Sequence, residues 1–82
     1  MRISFIGAGR VAHHLAAVLS QNHQIVQVYS RTLEHAQALA SQVAAKATAN
    51  IAELEPDVDL VIIAVSDQAI TEVIQQVHAQ FT

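Results

Sequence analysis

Apolar positions along the chain change their period several times, and each change marks an element. Ile3-Ser4-Phe5-Ile6 is a short, mostly apolar run halted by glycine, which predicts a buried strand. From Val11 the apolar residues Val11, Ala12, Leu15, Ala16, Val18 and Leu19 recur at helical spacing and predict a helix with a wide buried face. Gln21-Asn22-His23 ends it, with Asn22 expected in the left-handed conformation that often closes a helix. Ile25-Val26-Gln27-Val28-Tyr29 is β-branched and aromatic, a second strand. Thr32 is expected to cap a second helix, with Glu34 in its first turn and Leu33, Ala36, Leu39, Ala40 and Val43 as its apolar stripe. Ala45 to Thr48 leaves room for a short third strand. Asn50 followed by Glu53 resembles a capping box for one or two turns, closed by Pro56. Leu60 to Val65 is six consecutive apolar residues, read as a central fourth strand, after which Ser66-Asp67 offers a cap. Ile70, Val73, Ile74 and Val77 then form a helical stripe. Alternating strands and helices imply an α/β fold on a parallel sheet of about four strands with right-handed crossovers.

Composition narrows the class. The 82 residues suffice for one small domain, and 52% hydrophobic content with a net charge of −3 excludes a disordered chain. No apolar run approaches the roughly 18 residues needed to span a bilayer. Without cysteine there is neither a disulfide scaffold nor a thiolate metal site. Four basic residues against seven acidic ones, with 4% aromatics, argue against a nucleic-acid partner. The start does not read as a signal peptide, which predicts a cytoplasmic protein. The ending at Val77-His78-Ala79-Gln80-Phe81-Thr82 reads as cut, so residues 1–82 are expected to be one domain of a longer chain.

Candidate chemistry starts at Gly7-Ala8-Gly9-Arg10-Val11-Ala12, which fits G-x-G-x-x-G/A and sits between a strand and a helix. Gly7 permits a sharp turn, Gly9 lets a pyrophosphate approach the backbone, and Ala12 keeps the helix close to the sheet. Free N–H groups at the helix start then face the anion. The plain alternative is an ordinary turn that happens to use two glycines. Arg10 could reach a phosphate or be solvated. His13 and His14 are adjacent and point about 100° apart, so they cannot hold one ion together. His23, His35 and His78 show no metal-ligand spacing, so no metal is expected.

The end of the second strand is the most informative stretch. NAD-binding and FAD-binding folds place an acid there for the adenosine ribose hydroxyls. This chain has Tyr29-Ser30-Arg31-Thr32, with no carboxylate and one guanidinium. Ser30 and Thr32 can donate hydroxyl hydrogens to the 2′-phosphate of NADP, and Arg31 a charge-assisted contact. Alternatively Arg31 is solvated and Thr32 only a cap. At the end of the fourth strand, small Ala64 leaves room for a dinucleotide, Val65-Ser66 can line it, and Asp67 is either a helix cap or a general acid–base.

Ile3-Ser4-Phe5-Ile6-Gly7-Ala8-Gly9, the Ser30-Arg31-Thr32 triplet and Ile63-Ala64-Val65-Ser66-Asp67 together resemble the N-terminal Rossmann-like domain of NADP-dependent reductases. Pyrroline-carboxylate reductases, deazaflavin-dependent NADP reductases and the 6-phosphogluconate dehydrogenase group are similar. The chain looks most like proteins that join such a domain to a helical C-terminal domain. The resemblance implies a three-layer fold with strand order 3-2-1-4. It places the pyrophosphate on Gly7 and Gly9, with Ala8, Arg10 and Val11 beside them. It gives the 2′-phosphate to Ser30, Arg31 and Thr32, and the nicotinamide half to Val65 and Ser66. It implies NADP(H) as cofactor and hydride transfer to a small C=N or C=O substrate held by a helical domain missing here. No residue maps onto a catalytic role, so this chain alone is not expected to turn over. The competing expectation is a dinucleotide-binding regulatory or redox-sensing module without catalysis. A short sheet with an exposed edge is also expected to self-associate, as a homodimer.

Overall fold

A computed structural model describes residues 1–65 and 70–81. Strands β1 (Arg2–Ile6), β2 (Gln24–Tyr29), β3 (Lys46–Thr48) and β4 (Leu60–Ile63) pair in parallel in the order β3-β2-β1-β4. Helices α1 (Arg10–Leu19), α2 (Leu33–Val43) and α3 (Ile70–Phe81) connect or follow them, with a 3₁₀ turn at Ile51–Glu53. This is the expected three-layer, Rossmann-like α/β fold.

The alternation of side chains along β1 sorts the core into two halves. Ile3 and Phe5 point to one face, where Ala12 and Ala16 of α1 and Ala36, Leu39 and Ala40 of α2 cover them. Ile6 points to the other, packed with Tyr29, Ile51, Leu54, Val73 and Val77. Ala12 and Ala16 are fully buried, so the small residues do hold α1 against the sheet. Ser4 and Gln27 share the second face and are paired in register. Gln27 is 4% exposed, and its amide donates to Ser4 Oγ at 2.6 Å and to the Glu55 carbonyl at 2.8 Å and accepts from the Glu55 N–H at 2.7 Å. It bolts the segment entering β4 to the centre of the sheet.

Five local expectations need correction. Asn22 is not left-handed; α1 closes on Ser20 in a right-handed conformation, and Ala44 (φ 57°) ends α2 as the one non-glycine with positive φ among the described residues. Thr32 begins α2 but makes no side-chain capping bond; its carbonyl accepts from His35 and Ala36 instead. Asn50 does cap the 3₁₀ turn, accepting from Ala52 N–H at 3.0 Å, yet Glu53 does not reach back to it. Thr48 intervenes, accepting from Asn50 N–H and donating to Glu53. Among the described residues the apolar run at Leu60 forms an edge strand, hydrogen-bonded to β1 alone, and ends at Ile63. On α3, Val73 and Val77 are buried while Ile74 is 45% exposed. The expected cap at Ser66-Asp67 lies outside the described residues.

Candidate functional site at the carboxyl ends of the strands

Gly7 leaves β1 at φ +116°, a backbone conformation that favours glycine, and its N–H bonds to the Tyr29 carbonyl at 2.7 Å. A Cβ there would stand 2.5 Å from the Ala64 carbonyl oxygen. The residue that follows β4 thus rests on this glycine, and the fold itself requires it. Gly9 is different. It precedes α1 at φ −82°, open to any residue, and a Cβ on it would meet nothing within 4 Å among the described residues. No described residue demands glycine at this point. The first intrahelical bond of α1 runs from His13 N–H to the Gly9 carbonyl, so the N–H groups of Arg10, Val11 and Ala12 find no partner inside the helix.

At the end of β2 the Ser30 N–H bonds to the Thr48 carbonyl, which fixes where the strand stops. Ser30 Oγ accepts from the Thr32 N–H at 3.3 Å and shapes the turn into α2. The Arg31 guanidinium is exposed and has no hydrogen-bond or ion-pair partner among the described residues. Arg2 makes the contrast: its guanidinium bonds to the Asp57 carbonyl and to Glu55 at 3.2 Å, at the opposite end of the sheet. Arg10 is likewise free of partners among the described residues. The acids Glu55, Asp57 and Asp59 gather where β4 begins, and free cations stand where β1 and β2 end.

These segments enclose a cleft of about 650 Å³. Gly7, Ala8 and Gly9 form one wall, Ser30, Arg31 and Thr32 a second, and Ala64 with Val65 a third. Among the described residues no carboxylate lines it. Arg10 borders a neighbouring hollow, Val11 is 64% exposed and lines neither, and Ser66 lies outside the described residues. Tyr29, His35 and Val73 also line the cleft, and sequence reasoning missed them. Tyr29 and Val73 are core residues whose edges reach the cleft. His35 carries no local signal, because its relation to the glycine turn exists only once α1 and α2 pack side by side.

Spare N–H groups, an uncommitted guanidinium, two hydroxyl-bearing residues and a glycine that leaves space unfilled suit a phosphorylated dinucleotide. Among the described residues no three His, Cys, Asp or Glu side chains converge as a metal site, and no helix is long and apolar enough to cross a membrane.

Comparison with known proteins identifies the family. A family model described as NADP oxidoreductase, coenzyme F420-dependent, matches residues 2–81. A solved structure from Bacteroides fragilis, described as a candidate NADP oxidoreductase, superposes with a TM-score of 0.94 at 40% identity, covering 99% of this chain and 32% of that one. An L-aspartate dehydrogenase of Methanothermobacter thermautotrophicus is 30% identical over 80 residues, 94% of this chain and 31% of that protein. A myo-inositol dehydrogenase from Corynebacterium glutamicum superposes with a TM-score of 0.82 at 28% identity, over 98% of this chain and 25% of its own. The chain therefore spans less than a third of these relatives.

Proposed function

The chain belongs to the family of coenzyme F420-dependent NADP oxidoreductases, and from that premise we propose that it is the NADP(H)-binding domain of an oxidoreductase moving hydride between NADPH and a small C=N or C=O substrate. One observation carries the choice of NADP: among the described residues the end of β2 offers a free Arg31 guanidinium with Ser30 and Thr32, in a cleft that no described carboxylate lines. An acid there would serve a ribose 2′-hydroxyl and repel a 2′-phosphate.

In this reading Gly7, Ala8 and Gly9 and the N–H groups of Arg10 and Val11 hold the pyrophosphate. Ser30, Arg31 and Thr32 hold the 2′-phosphate. Val65 and Ser66 line the nicotinamide half. The bound dinucleotide supplies the hydride; the chain fixes its orientation. Substrate binding falls to a further domain, in keeping with the share of its relatives that this chain spans. A cysteine-free domain of this kind suits the cytoplasm.

Calorimetric titration with NADPH, NADH and adenosine 2′,5′-bisphosphate tests the reading. We expect NADPH and the bisphosphate to be preferred. Arg31→Glu should weaken NADPH by about 100-fold, since it replaces a charge-assisted donor by a repelling acid. Equal or stronger binding of NADH would overturn the assignment.

A further inference from the structure

We propose that the outer flank of α1 is the contact surface for a second copy of this chain, with the two α1 helices packed antiparallel about a two-fold axis beside Leu15. The proposal does not depend on which dinucleotide the cleft takes.

From Val11 to Ser30 the sequence contains no Asp, Glu, Lys or Arg, so α1 has no charged residue other than Arg10 at its start and its histidines. Successive helical residues turn by about 100°. That puts Val11, Leu15 and Val18 on one flank of the buried pair Ala12 and Ala16, and His13 on the other. His13 shares a hollow with His35 of α2, so the apolar flank looks away from α2, toward the side of the sheet where β4 lies. Leu60 and Ile62 of β4 stand in register with Ile3 and Phe5, hence on the face that α1 covers, and Leu60 is 39% exposed.

Two features identify the occupant as a second copy. The stripe is self-complementary: Leu15 lies between Val11 and Val18, so an antiparallel pair sets Leu15 against its own copy and Val11 against the other copy's Val18. The charges at the two ends of α1 are complementary as well. Arg10 is exposed at the start of the helix and has no partner among the described residues. At the other end, Ser20 to Gln24 share a hollow with Asp59, and the last turn of α1 has no basic residue. The Asp59 carboxylate accepts the Arg2 backbone N–H at 2.8 Å and makes no ion pair among the described residues. An antiparallel pair carries each Arg10 to the other copy's Asp59 and to the negative end of its helix dipole. A parallel pair would set Arg10 against Arg10. One helix about 15 Å long covers far less than the roughly 800 Å² a side of a stable dimer, so the association is reversible and depends on concentration.

The test is sedimentation velocity over a concentration series, with circular dichroism to confirm folding of each variant. We expect the average mass of the unmodified chain to rise from that of one chain toward that of two. Arg10→Glu alone and Asp59→Lys alone should each weaken association by about tenfold, since each turns two attractive pairs into repulsive ones. An equimolar mixture of the two variants should associate again, because the mixed dimer has both pairs of opposite sign. The chain has no cysteine, so Leu15→Cys should oxidise to a disulfide-linked dimer, while Leu33→Cys on α2 should not. A mass independent of concentration would overturn the proposal and leave the flank to a different partner. Association without the Leu15→Cys cross-link would overturn it too, and would move the contact to another surface such as the β4 edge. Failure of the variant mixture to regain association would reject the antiparallel arrangement.

Discussion

Gly7 and Gly9 stand two positions apart and are glycine for different reasons. At Gly7 a methyl group meets both a positive φ and the backbone of Ala64. Gly7→Ala should cost about 3 kcal/mol, strain and overlap together, read as a drop in the urea midpoint. Gly9→Val should leave that midpoint nearly unchanged and abolish nucleotide binding, because the side chain enters space that the fold leaves open. Such a pair separates what the turn needs in order to form from what it needs in order to bind. Ala44 is the reverse case, a residue with a Cβ in a left-handed site at the end of α2. Ala44→Gly should raise stability by about 1 kcal/mol, visible in the thermal midpoint. Asn22 carries the stronger sequence signal for that conformation, yet α1 ends without using it. No residue preference could have pointed to Ala44.

Among the elements, Gln27 ties β2 to β1 and to the entry of β4 by three hydrogen bonds. Gln27→Leu preserves bulk and strands the Ser4 hydroxyl and both polar groups of Glu55. We expect a loss of about 2–3 kcal/mol in chemical denaturation, with nucleotide preference unchanged. A loss below half a kcal/mol would mean that water replaces the amide. This clamp was invisible in the sequence, since Gln27 there is only the polar interruption of an apolar strand and its partner lies 28 residues away. The strand–glycine–helix unit at Ile3 to Ala12 was legible, because local period and turn residues determine it. So was the triplet at the end of β2, whose chemistry lies in adjacent residues. The position of β4 was not. Six apolar residues announce two covered faces, but Leu60 is 39% exposed and the strand has no outer neighbour among the described residues.

At the scale of the whole molecule, that open edge is accompanied by exposed apolar side chains on α1. Val11, Leu15 and Val18 stand at i, i+4 and i+7 and are 64%, 37% and 51% exposed. A strand paired on one side only among the described residues and an uncovered stripe lead us to expect association of this chain with a second copy. Sedimentation velocity should give an average mass that rises with loading concentration, and Leu60→Lys combined with Val18→Glu should return a monomer. A mass independent of concentration would discard this expectation. The Gln27 clamp has one more consequence, which concerns the order in which the chain is made. The ribosome releases β1, β2 and β3 before it releases Glu55. Until then the Gln27 amide has Ser4 alone of its observed partners, and a buried polar group left without its partner costs about 1–3 kcal/mol. We therefore expect the sheet to close over Gln27 only once the segment leading into β4 has emerged.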